Sequence, residues 1–138
     1  MNTVNYDYYK GFEGEGEINI IRIRKNGDKI ILKIWQGYFD LLLDAILNGT
    51  EFKDPTELKG ILKCYYYLSD FYDYEPYFID NIALEIDNLI KFNVNKISNK
   101  KQLKSDLLLT PIIEIKENIL TLLNEALAMG DEVYIKLV

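Results

Sequence analysis

The stretch EINIIRIRKNGDKIILKIW, from Glu17 to Trp35, decides the fold of this 138-residue chain. Isoleucine and other β-branched or aromatic residues crowd both halves, and Asn26-Gly27 divides them. Asn-Gly is a strong short hairpin signal because a type I′ turn requires positive φ at both central positions. The reading is therefore a strand from Glu17 to Lys25, a tight turn, and a second strand from Asp28 to Trp35. A two-residue loop sets Lys25 opposite Asp28, Ile23 opposite Ile30 and Ile21 opposite Leu32 on one face. The other face then takes Arg22, Arg24, Lys29 and Lys33, with Ile20 and Ile31 among them. Such a hairpin is half covered, apolar on one side and basic on the other. The break in alternation at Ile20-Ile21 is read as a bulge.

At the far end of the chain, Asp131 to Val138 alternates in the same way, with Val133, Ile135 and Leu137 on one side. It is read as a terminal strand that pairs with the hairpin. Between these strands the period changes to that of helices. Tyr38 to Asn48 reads as a short helix closed by Gly49. Asp54-Pro55-Thr56-Glu57 has the residues of an N-cap, a first-turn proline and a capping-box glutamate, and Leu58, Ile61, Leu62, Tyr65 and Leu68 follow at helical spacing.

Glu75-Pro76 interrupts, and a third helix is expected from Tyr77 to Phe92. Ile79, Ile82, Ala83, Ile86, Leu89 and Ile90 form its buried stripe, with Asp80 and Asp87 opposite. A basic, asparagine-rich connection from Asn93 to Lys101 leads to a weaker helix, Gln102 to Leu109. Thr110-Pro111 restarts the chain, and Glu117 to Met129 is a helix ending at Gly130. Ile112 to Ile115 fits either the first turn of that helix or a short strand. The expected fold is thus α+β: a small antiparallel sheet, hairpin plus C-terminal strand, packed against about four helices. No repeat or linker divides residues 1–138, so one domain is expected.

Composition limits function. The chain has 49% hydrophobic and 28% charged residues, a mean hydropathy of −0.10 and a net charge of −6. Nucleic acid is a poor partner for such a surface, because phosphates need a dense basic patch. No window approaches the roughly 18 apolar residues that a membrane span requires, and Met1 to Lys10 lacks the pattern of a secretory signal. The single cysteine, Cys64, forms no internal disulfide, so the expected location is the cytoplasm.

Histidine is absent altogether. That excludes serine–histidine and cysteine–histidine nucleophile systems and most zinc or copper sites. Gly11, Gly14 and Gly16 lack the lysine and serine of a phosphate loop, carry Glu13, Glu15 and Glu17 among them, and precede a strand; they are read as a flexible loop. Cys64, between Lys63 and Tyr65, is read as a small buried residue. Asp70, Asp73, Glu75 and Asp80 match no calcium loop. No catalytic residue, metal ligand or cofactor is assigned.

What remains is the segment YYYLSDFYDYEPYF, Tyr65 to Phe78, in which eight of fourteen residues are aromatic. One helix and a turn cannot bury all of them. No basic residue lies between Lys63 and Lys91, whereas Asp70, Asp73, Glu75, Asp80, Glu85 and Asp87 carry a charge equal to that of the whole chain. The charge then reverses at Lys91, Lys96, Lys100, Lys101 and Lys104. Tyrosine suits protein interfaces, and carboxylates around it steer a basic partner. The expected partner-binding residues are Tyr66, Asp70, Tyr72, Asp73, Tyr74, Glu75, Tyr77 and Asp80. The plainer reading packs these rings under neighbouring loops and leaves the acids as a solvated surface.

In size, acidity and the Tyr65–Asp80 segment, the chain resembles the immunity proteins of bacterial toxin–immunity systems. The resemblance implies a non-catalytic inhibitor that occludes a basic, nuclease-like protein partner. Asp70, Asp73, Glu75 and Asp80 would pair with the cations that hold substrate phosphate, and Tyr66, Tyr72, Tyr74 and Tyr77 would serve as anchors. Two alternatives stand beside it. One is a hydrolase or nuclease dependent on carboxylates and a divalent ion; the other is a homo-oligomer joined through the terminal strand.

Overall fold

The turn at Asn26-Gly27 sets the geometry of everything around it. In the computed structural model, which describes residues 1–47, 60–65, 76–93 and 106–138, the amide of Arg24 donates to the carbonyl of Asp28 at 2.8 Å and Gly27 N–H donates to the carbonyl of Arg24 at 2.9 Å. The loop therefore holds three residues, Lys25-Asn26-Gly27. Gly27 alone takes positive φ, at 91°, as the left-handed residue after a type I turn. Asn26 acts through its side chain instead, accepting from Asp28 N–H at 3.0 Å.

One added loop residue shifts the register by one and corrects the expected pairing. Strand β2 (Glu17–Ile23) sets Ile20 opposite Leu32 and Ile18 opposite Ile34 of β3 (Lys29–Trp35). Ile20 thus joins the helix-covered face, and Ile21 turns to the other face opposite Ile31. The ladder runs unbroken from Glu17 to Ile23, so the doubled isoleucine needs no bulge. Arg22, expected on a basic outer face, lies on the buried one.

The sheet is wider than expected and mixed. Strand β1 (Thr3–Tyr8) lies parallel to β3, and the order is β1-β3-β2-β5-β4. The C-terminal strand β5 (Glu132–Leu137) pairs antiparallel with β2, as expected, and on its other side with the two-residue β4 (Tyr77–Phe78). It is therefore flanked on both sides within the sheet.

Three α-helices and one 3₁₀ helix occupy the described residues. Helix α1 (Gln36–Leu47) follows β3 directly and buries Phe39, Leu42, Leu43 and Ile46 against the sheet. The second expected helix is present as the 3₁₀ helix Gly60–Tyr65; its expected cap at Asp54–Glu57 lies outside the described residues. The third is shorter than expected. Tyr77 and Phe78 are spent on β4, and α2 (Ile82–Ile90) begins at Asn81, whose side chain accepts from Leu84 N–H at 3.1 Å.

The last two expected helices are one. Helix α3 (Asp106–Met129) runs through Pro111 without the expected restart. A proline there removes a single backbone donor near the start of a long helix. Ile112, Ile115, Ile119, Leu122, Leu123 and Ala126 recur at helical spacing and are buried, so packing holds the helix through that loss. Helices α1 and α3 cover one face of the sheet, and α2 packs on α3. Among the described residues no helix is long and apolar enough to cross a membrane.

The loop from Gly11 to Gly16 is held by Phe12, whose ring stacks on Trp35 at 4.0 Å with Tyr38 edge-on to both. At the opposite side, Tyr8 hydroxyl donates to Glu114 and accepts from Asn118, tying the edge strand to α3.

Candidate functional site

Of the eight expected partner-binding residues, Tyr66, Asp70, Tyr72, Asp73, Tyr74 and Glu75 lie outside the described residues. Tyr77 and Asp80 lie within them and sit on opposite sides of a turn. Tyr77 is half-buried, packs against the core and has the Lys63 ammonium 5.7 Å from its ring centre. Asp80 is exposed, in the bend between β4 and α2.

The residue that sequence reasoning left out is Phe78. In a strand, neighbours point to opposite faces, so burying Tyr77 turns Phe78 outward, where it is 48% exposed. Reading Pro76 as the start of a strand, rather than of a helix, would have found it. Phe78 contacts the Tyr134 ring, centroids 5.3 Å apart, and Tyr134 hydroxyl donates to Glu132 Oε2 at 2.6 Å. That hydrogen bond to a carboxylate pushes the Tyr134 hydroxyl pKa up. It also holds Glu132 beside the aromatic pair.

Phe78 and Glu132 border a groove of about 340 Å³ between the start of α2 and the end of α3. Phe78, Ile82 and Leu127 supply apolar surface, and Asp80, Asp131 and Glu132 supply carboxylates. Leu127 is 51% exposed, unusual for a leucine on a helix that buries its other face. The carboxylates are not equivalent. Asp131 is buried and accepts from Arg22 Nε at 2.8 Å, so its charge is neutralised internally. Asp80 and Glu132 are exposed and form no ion pair among the described residues. The Lys25 side chain passes Gly130 at the end of α3, where helix carbonyls favour a cation.

Glu85, counted by sequence among the surface acids, is only 2% exposed. It faces the 3₁₀ helix and accepts from Ile61 N–H at 3.0 Å. Burial pushes its carboxyl pKa up to about 7; the Ile61 hydrogen bond opposes this and the Asp80 charge adds to it. Asp87 on the same helix is exposed. Of the acids in this region within the described residues, Asp80 and Asp87 therefore face solvent and Glu85 does not. Nothing in the local sequence distinguishes Glu85 from Asp87. The distinguishing contact comes from Gly60, twenty-five positions earlier.

Among the described residues no three Asp, Glu or Cys side chains gather closely enough to hold a metal ion. The backbone of Cys64 falls in the 3₁₀ helix. Compared with protein-family models, with curated proteins and with solved structures, the chain matches none.

Proposed function

We propose that this chain is a non-catalytic protein-binding domain that occludes a basic protein partner, in the manner of an immunity protein acting on a nuclease-like toxin. The surface assigned to this role is the tyrosine- and carboxylate-rich segment Tyr66–Asp80 together with the groove that follows it in sequence. The observation that carries the reading is that one groove brings exposed apolar side chains, Phe78 and Leu127, together with the exposed Asp80 and Glu132, which form no ion pair among the described residues. Aromatic side chains are enriched at the centres of protein interfaces, and charged groups belong to the polar rim around them. The sign of the charge selects a cationic partner and speeds its approach. The lack of histidine in the sequence leaves few routes to catalysis at the same surface.

Capture from the native host's lysate tests the proposal when the wild-type chain is run beside two charge-reversed forms. Asp73→Lys with Glu75→Lys probes the segment, and Asp80→Lys with Glu132→Lys probes the groove. A basic protein retained in stoichiometric amount by the wild type and lost from both variants, each with an unchanged circular dichroism melt, supports the reading. Equal retention by all three removes both surfaces from consideration.

A further inference from the structure

We infer that Glu85 is a proton-operated latch: neutral, it lies buried beneath the 3₁₀ helix Gly60–Tyr65 and holds it against α2; ionised, it leaves and releases that helix. The geometry is a backbone clamp. Ile61 N–H donates to Oε2 at 3.0 Å, and Gly60, at φ of 60°, passes so close that a Cβ there would lie 1.6 Å from Oε1. Only glycine permits that approach, so the carboxyl is enclosed by main chain that cannot ionise or turn away.

One turn further along α2, Asn88 is also buried, and its Oδ1 meets no hydrogen-bond donor among the described residues. Positions three apart on a helix are neighbours. Enclosure of the carboxyl, 2% exposed and with no cation beside it among the described residues, favours the neutral form and outweighs the opposing Ile61 hydrogen bond.

The charged groups on the surrounding described elements are few. They are Asp80 before α2, Lys63 on the 3₁₀ helix with its ammonium over the Tyr77 ring, buried Asp44 on α1, exposed Asp87 on α2, and Lys116 of α3 over the Phe92 ring. Of these only Asp80 acts on Glu85 appreciably, and it disfavours ionisation. Placement in the first turn of α2 favours the charged form, but burial outweighs it.

The sign follows from linkage. The enclosed carboxyl holds its proton up to about 7, whereas an open one gives it up from its ordinary value of 4.5. Opening of the 3₁₀ helix therefore becomes easier as pH rises between these values and levels off above the upper one. Tyr66 to Glu75 follow this helix in sequence, so its release bears on the proposed partner-binding segment. That consequence rests on the proposed function; the latch itself does not.

Amide hydrogen exchange at Ile61, corrected for the intrinsic pH dependence of exchange, reads the latch in the free protein. The wild type should lose protection by about tenfold per pH unit between pH 4.5 and 7 and stay level above. Glu85→Gln, which keeps the acceptor and cannot ionise, should show no slope. Asp80→Asn, an exposed change, should reach the plateau at lower pH because a repulsive charge is gone, and it decides the matter if Glu85→Gln does not fold. A flat wild-type profile, an equal slope in Glu85→Gln, or an unmoved plateau in Asp80→Asn would each overturn the latch. A positive exchange result with no partner captured would leave the latch standing and remove the proposed function.

Discussion

Arg22 and Glu85 are both ionisable groups that the fold encloses, and they are handled in opposite ways. Arg22 is met by two carboxylates, Asp131 at 2.8 Å and Glu125 at 2.7 Å. Desolvation cancels much of the attraction in such a pair, but removing one partner strands the other. Arg22→Met should thus cost about 3–5 kcal/mol in denaturant unfolding, and adding Asp131→Leu should recover most of it. Glu85 meets no cation among the described residues, and burial pushes its carboxyl pKa up to about 7 instead. The wild type should lose stability relative to Glu85→Gln by about 1.4 kcal/mol per pH unit between pH 4.5 and 7, with no further loss above. Thermal melts of both proteins across that range check the difference. Neither residue announced itself in sequence: Arg22 was assigned to the wrong face by a one-residue slip, and Glu85 looked like any other acid on an amphipathic helix.

At the scale of elements, the hairpin divides what could be read from what could not. Its position was legible because β-branched residues and Asn-Gly mark strands and turn locally. Its register was not, since Asn-Gly serves both a two-residue loop and a three-residue loop. The choice lies in the φ of Asn26, and no residue type dictates it there. Gly27 sits at φ of 91° with nothing within 4 Å of a built Cβ, so Gly27→Ala costs backbone strain alone, about 1–2 kcal/mol. Gly60→Ala adds a collision with Glu85 and should cost more; paired chemical denaturation curves measure the gap. Strand β1 is hidden for a different reason: TVNYDY alternates polar with apolar or aromatic residues, but at a sheet edge it buries little, and its burial does not follow that alternation. Pro111 misled in the other direction, because one lost hydrogen bond is outweighed by a long buried stripe.

For the whole molecule, the α+β class was legible from the order of strand and helix periods, while the mixed sheet was not, because a parallel pairing depends on where the N-terminal segment returns in space. The same holds for the surface. The tyrosine–carboxylate segment stands out in sequence, but the groove joins residues fifty positions apart, Phe78 and Asp80 with Leu127 and Glu132. We propose that this acidic, aromatic surface binds a cationic protein. The most direct test is the affinity of the captured partner measured by calorimetry from low to high salt, on the wild type and on Asp80→Lys with Glu132→Lys. The account predicts that affinity falls steeply with salt in the wild type, and that the variant binds weakly with a shallower dependence. Affinity indifferent to both salt and charge reversal would contradict it.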